Sequence, residues 1–162
     1  AEAVIWTRDQ LSDEDRQWLR DLRYVRLVDH FSIVHGTMDS PRYWGYVQDV
    51  NDAAASFTYQ STALCFHGHT HVPVVFVDDG VNPIEHGTFT NLKLEPGSRY
   101  FINVGSVGQP RDGDPRASYC IYDSEAESVG LFRLPYDIEA AQQKIRDAGL
   151  PERLADRLDF GK

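Results

Sequence analysis

The 162-residue chain carries six histidines, and three of them fall in one short stretch, Leu64-Cys65-Phe66-His67-Gly68-His69-Thr70-His71-Val72-Pro73. An apolar run enters this stretch and a second, Val74-Val75-Phe76-Val77, leaves it. Neutral imidazole is the commonest metal-ligating side chain, so a His-x-His pair on a strand–turn–strand is a candidate metal site. In extended backbone the i, i+2 spacing turns His69 and His71 to the same side, and Gly68 is expected to give the turn its freedom. Another apolar run, Phe31-Ser32-Ile33-Val34, also ends in a His-Gly pair, His35-Gly36. Two strands ending this way would bring three imidazoles to one sheet edge, beyond the carboxyl ends of the strands, where open α/β sheets bind ligands. His67 lies outside this set and reads as a packing or supporting residue. His30 reads as a turn histidine and His86 as an edge or loop histidine.

Three motifs stand in order along the chain: Val34-His35-Gly36, then Gly68-His69-Thr70-His71, then Asn103-Val104-Gly105-Ser106-Val107-Gly108-Gln109-Pro110-Arg111. Together they resemble the later motifs of the calcineurin-like metallophosphoesterases, in particular a small bacterial branch described as phosphodiesterase or phosphoprotein-phosphatase-like. Trp6-Thr7-Arg8-Asp9-Gln10-Leu11-Ser12 also reads like that branch. The resemblance implies an α/β fold, the C-terminal half of a two-sheet sandwich flanked by helices, with metals at one sheet edge. It implies two divalent ions (Mn, Fe, Zn, Ni or Co), with His35 and His69 on one and His71 on the other. The family's earlier motifs, Asp-x-His, Gly-Asp-x-x-Asp and Gly-Asn-His-Asp/Glu, do not occur here. They carry the bridging carboxylate and the general acid, so no catalytic residue is assigned. The expectation is one incomplete domain over residues 1–162, the C-terminal portion of a longer protein and inactive alone.

Composition bounds the class. The length suffices for one domain with a sizeable core. A net charge of −9 argues against binding duplex nucleic acid by phosphate neutralisation, although bound metal ions can still attract a small phosphoester. No apolar run reaches the roughly 18 residues of a membrane helix, and a cytoplasmic location is expected. Cys65 and Cys120 sit in apolar, strand-like runs and read as buried thiols rather than a disulfide. A soft-ligand role for Cys65 has no counterpart in the family pattern.

The elements that must position the histidines follow from pattern. The start, Ala1 to Thr7, reads as the tail of a helix. Ser12 caps a helix through a box completed by Asp15, and Trp18, Leu19 and Leu22 recur at helical spacing, with Trp18 expected in the core. Residues 24–29 alternate as a half-buried strand that pairs as a hairpin with 31–35. A loop over 37–45 follows His35 directly and should overhang the site. There Asp39, Arg42, Tyr43 and Trp44 either shape access or simply pack the loop down. A helix over 49–59 is capped by Asp49 or Asn51. Strands are expected over 63–66, 72–77, 100–104, 117–123 and 128–134. Residues 83–90 are ambiguous, and 93–97 form a turn. A helix over about 137–148 puts Ile138, Ala141 and Ile145 on one face, and a short helix from Pro151 to Leu158 follows. For residues 103–111 two readings stand. Gly105, Ser106 and Gly108 can let backbone N–H groups approach an anion, with Arg111 as a bidentate phosphate contact. Alternatively, the stretch is a structural crossover supporting the histidine turn.

The function expected is metal-dependent hydrolysis of a phosphodiester or phosphomonoester, with a small phosphoester or phosphoprotein as substrate. The alternative is a truncated or degenerate non-catalytic module that binds a nucleotide or protein partner. An amidohydrolase barrel is set aside, because it needs about 250 residues with the His pair on its first strand.

Overall fold

The computed structural model describes residues 2–162, and these divide into two compact units, residues 2–23 with 137–160, and residues 24–136 with 161–162. The first unit is helical. Helix α1 spans Glu2–Gln10, so the expected N-terminal helix runs past Thr7; Ala1 lies outside the described residues. Helix α2, Asp13–Asp21, starts with the expected capping box between Ser12 and Asp15. Its apolar side chains do not enter a core: Trp18 is 63% exposed, and Leu19 and Leu22 are exposed as well. Helical spacing aligns such residues on one face but does not supply a surface to bury them.

The second unit holds the nine strands of the described residues. Strands β1 (Val25–Val28) and β2 (Phe31–Val34) form the expected antiparallel hairpin. Strand β1 is an edge strand, however, and Leu27 is exposed on it, so the predicted alternation of burial is not realised there. Helix α3 (Val50–Tyr59) is capped by Asp49, whose carboxylate accepts from the N–H groups of Asn51 and Asp52. It leads to β3 (Leu64–His67) and β4 (Val74–Asp78). The ambiguous stretch contains a short strand β5 (Glu85–Gly87), on which His86 stacks against Phe76, an edge position as expected. Strand β6 (Asn91–Lys93) lies just before the predicted turn and has no alternation long enough to announce it. Strand β7 is Arg99–Asn103, and the hairpin β8 (Ala117–Asp123) and β9 (Ser128–Leu134) falls on the predicted boundaries.

The strands make a six-stranded sheet in the order β1-β2-β3-β7-β4-β5 and a three-stranded sheet in the order β6-β9-β8. One apolar cluster lies between α3 and the larger sheet, with Val34, Ala53, Phe57, Cys65, Phe76 and Phe101 at its centre. A second lies between the two sheets, with Leu64, Val75, Tyr100, Ile102 and Val129. Burying each large side chain contributes roughly 1.5–3 kcal/mol, so the central strands β3 and β7, covered on both faces, are the rigid part of this unit. Strands β2, β3 and β7 are mutually parallel neighbours. Their carboxyl ends therefore meet at one edge, where His35, the 67–71 turn and residues 103–111 all emerge. Both cysteines are free; Cys65 is buried and Cys120 half-buried, and burial pushes each thiol up to about 12.

In the first unit, α4 (Ile138–Asp147) is capped by Asp137 and half-buries Ile138, Ala141 and Ile145 as expected. A one-turn helix α5 (Arg153–Asp156) and a 3-10 turn (Arg157–Phe160) follow, tied back by buried Gln142, which donates to the Ala155 carbonyl and to Asp159. Among the described residues no helix is long and apolar enough to cross a membrane.

Candidate metal centre

His35 Nε2 lies 2.9 Å from His69 Nδ1, although the two residues are 34 positions apart. The parallel pairing of β2 and β3 brings them together, and the His35 carbonyl accepts the Gly68 N–H at 3.0 Å to lock the two strand ends. His71 lines the same open groove as His35 and His69, together with Gly68, Ser106, Val107 and Tyr119 among others. The three imidazoles expected at one sheet edge therefore converge on one groove.

The route to that convergence differs from the sequence expectation. His69 and His71 are not in extended backbone: their φ values are 65° and 63°, in the left-handed region. Gly68, expected to supply the turn's freedom, is not among the positive-φ residues. The two histidines are thus presented by a strained turn rather than by strand alternation. A left-handed non-glycine residue costs on the order of 1–3 kcal/mol and persists only where its surroundings over-determine it. Buried Asn103 provides much of that determination. Its Nδ2 donates to the Gly68 carbonyl at 2.7 Å and to Thr70 Oγ1 at 2.9 Å, while its Oδ1 accepts the Gly105 N–H at 2.9 Å. One side chain thereby staples the histidine turn to the end of β7.

The ring environments favour the metal-ligating form. His35 is held below the ordinary imidazole range by burial, then by the nearby rings of His69 and His71. His69 is lowered by burial first and by His71 next, with a hydrogen bond to the Trp44 backbone opposing. Both shifts favour the neutral ring, the form that ligates a metal. His71 Nδ1 lies 2.7 Å from the Gln109 carbonyl. A carbonyl only accepts, so Nδ1 carries a proton, and in the neutral form of the ring it is Nε2 that bears the lone pair. Tyr46 stacks on His69 at 4.2 Å between centroids, and Trp44, itself at φ 52°, packs on His35 at 4.5 Å. The 37–45 loop therefore does overhang the site. Gly36 makes this possible, because a Cβ there would meet the Gly45 carbonyl oxygen at 2.5 Å. Of the loop residues singled out, Trp44 reaches the imidazoles. Tyr43 is 87% exposed, Asp39 is exposed, and Arg42 lies over the Tyr24 ring.

His67 is fully buried, stacks on Phe101 at 4.1 Å, and is pushed down to about 3 by burial, the packing role expected of it. Arg111 is half-buried, and its Nε and Nη2 donate to Gln109 Oε1 at 3.2 and 2.7 Å. It lies not on the histidine groove but on the adjoining one, with Tyr46, Gln48 and Thr70. Gly105, at φ 79°, leaves no room for a side chain against Ser118. At that position the structural-crossover reading of residues 103–111 holds. Sequence reasoning missed Asn103, Tyr46 and Gln109 as individuals. The only signal for Asn103 and Gln109 was their place in the third motif, and Tyr46 had none.

Two imidazole nitrogens bound to one ion at about 2.0–2.1 Å in neighbouring positions stand about 3 Å apart. The 2.9 Å between His35 Nε2 and His69 Nδ1 fits that requirement. The set is incomplete, though. Among the described residues no group of three or more His, Cys, Asp or Glu side chains is arranged to hold a metal ion, and no carboxylate lines the groove.

A mixed two-sheet fold thus presents three imidazoles at the carboxyl edge of its parallel strands. The sequence matches the calcineurin-like phosphoesterase superfamily domain over residues 9–127, and the chain belongs to that superfamily. It is similar to the crystal structure of a metallophosphoesterase from Sphaerobacter thermophilus, at 41% identity and a TM-score of 0.88, covering 98% of this chain and 67% of that one. It is 34% identical to an uncharacterized protein of Methanocaldococcus jannaschii over 99% of this chain and 65% of the relative, so it spans about two thirds of the relative's length. A hypothetical protein of Pyrococcus horikoshii shares the fold at 18% identity, with a TM-score of 0.70 over 95% of this chain and 57% of that one. Hydrolysis of phosphoesters with divalent metals is the general activity of this family.

Proposed function

We propose that the full-length protein hydrolyses a phosphodiester or phosphomonoester, of a small molecule or a phosphoprotein, at a dinuclear divalent-metal site. In this reading His35 and His69 hold one ion and His71 contributes to the other. When bound, such ions neutralise charge on the phosphoryl oxygens and acidify an attacking water. The chain's own residues do the positioning. Asn103 holds the strained turn, Gln109 sets the His71 tautomer, Trp44 and Tyr46 pin the rings of His35 and His69, and Arg111 offers a guanidinium to substrate phosphate. The observation that carries the reading is the 2.9 Å approach of two imidazole nitrogens at the ends of adjacent parallel strands. Carboxylate ligands and a general acid are assigned to parts of the protein beyond this chain, which alone is inactive. The carboxylate-free groove and the partial coverage of the relatives support that assignment.

The test is turnover of a chromogenic phosphodiester by the full-length protein at saturating manganese, with bound metal counted. His69→Ala and His71→Ala should each nearly abolish turnover and lower the metal content, because the chemistry needs both ions placed together. His86→Ala, on the far edge strand, should keep most of it. Full turnover and two bound ions in His69→Ala would falsify the assignment.

A further inference from the structure

Gly161 belongs to the same compact unit as the histidine groove. It is buried and lies at φ 59°. A Cβ there would meet the backbone C, N and O of Asp114 at 2.8, 2.8 and 2.9 Å, so no side chain fits. Its carbonyl accepts the Gly113 N–H at 3.0 Å. Residue 161 therefore packs backbone to backbone against residues 113–114. The other end of that short loop grips His71. The Arg111 N–H donates to the His71 carbonyl at 3.1 Å, and the Gln109 carbonyl lies 2.7 Å from His71 Nδ1. Main-chain groups of residues 109 and 111 thus hold both the backbone and the ring of His71. Little slack lies between the two ends. Pro110 is fully buried, and Asp112 pairs with Arg133 on β9, their side chains only 18% and 15% exposed. Asp114 accepts from Nε and Nη2 of Arg116 at 3.0 and 2.6 Å. A closely packed segment of this kind transmits a shift at one end to the other.

We propose that Gly161 is a positioning residue for His71: by seating residues 113–114 it keeps the Gln109 carbonyl and the Arg111 N–H against that imidazole and its backbone. This rests on the reading of His71 as a metal ligand and adds a remote determinant of its geometry. A metal-ligating imidazole is oriented by the partner of its other ring nitrogen, so moving that partner turns the ring. His35 and His69 are placed differently, by the parallel pairing of β2 with β3 and by the rings of Trp44 and Tyr46. The influence of residue 161 is therefore selective for one of the three imidazoles.

Gly161→Ala, Gly161→Asn and Gly80→Ala in the full-length protein separate this role from a general loss of stability. Gly80 also has positive φ, 73°, but a Cβ there meets nothing within 4 Å, so Gly80→Ala strains the backbone without a clash. Asparagine tolerates left-handed backbone, so Gly161→Asn keeps the clash and relieves the strain. In the metal-free proteins, hydrogen exchange at the Arg111 amide, followed by NMR, should be faster in both Gly161 variants than in Gly80→Ala, because the loop opens locally. Manganese titration should show one of two sites weakened about 10- to 100-fold in both Gly161 variants, as for losing an outer partner of a metal ligand. The other site should match the wild type, and Gly80→Ala should keep both. Unchanged Arg111 exchange in the Gly161 variants overturns the proposal, as do two sites weakened together or a Gly161→Asn protein that behaves as wild type. Those results leave the phosphoesterase reading standing. Wild-type protein that takes up no second ion, with Arg111 exchange still faster in both Gly161 variants, does the reverse: the dinuclear reading fails and the hold of Gly161 on the His71 loop stands.

Discussion

Asn103 concentrates more of the site's geometry than any ligand does. It is 0% exposed, and its amide group satisfies a carbonyl, a hydroxyl and an N–H drawn from two different loops. Left without it, the buried Gly105 N–H loses its partner, at about 1–3 kcal/mol for a buried orphan, and the Gly68 carbonyl keeps only the Thr70 N–H at 2.8 Å. Asn103→Leu keeps the volume close and removes the polar atoms. It should lower unfolding stability by about 1–3 kcal/mol in urea and weaken metal binding in the full-length protein, because His69 and His71 then relax from left-handed backbone. A variant with wild-type stability and metal affinity would show that the turn holds itself.

At the scale of elements, the site is an edge property of three parallel strands together with one loop folded over them. The loop lies close because Gly36 and Gly45 pass backbone to backbone, with no space for a methyl group at residue 36. Gly36→Ala has no flexible side chain to displace; it must push the Gly45 carbonyl away. The expected result is a loss of about 1–3 kcal/mol, as for overpacking, together with weaker packing of Trp44 on His35. Urea denaturation reads the first effect. The second would show as greater quenching of indole fluorescence by iodide, and unchanged quenching with unchanged stability would place the loop elsewhere in solution.

For the whole molecule, the described residues leave much apolar surface uncovered. Leu27 and Ile33 are exposed in the β1–β2 hairpin at the edge of the larger sheet, and Trp18, Leu19 and Leu22 are exposed on and beside α2. Natural proteins cover or charge such edges, and extended apolar patches mark interaction surfaces. The isolated chain should therefore bind an environment-sensitive apolar dye and show no metal-dependent turnover, while the full-length protein binds less dye and turns substrate over. Equal dye binding per mole, or turnover by the isolated chain, would count against a site completed from outside these 162 residues.

What the sequence determined by itself is local or periodic. Ser12 with Asp15, and Asp49, name their helix starts because a cap is an interaction between near neighbours. The β8–β9 hairpin fell on its predicted boundaries because turn chemistry and strand pattern are read from contiguous residues. The histidine inventory was legible for the same reason: apolar runs ending in His-Gly state where strands stop. Tertiary structure decided the rest. Whether Trp18 is buried depends on a surface that helical spacing cannot supply. Whether His69 and His71 point together was settled not by alternation, which does not apply in left-handed backbone, but by Asn103, more than 30 residues away. Tyr46 and Arg111 acquired their neighbours only when β2, β3 and β7 lined up in parallel, since a parallel pairing joins segments that local sequence preference never relates.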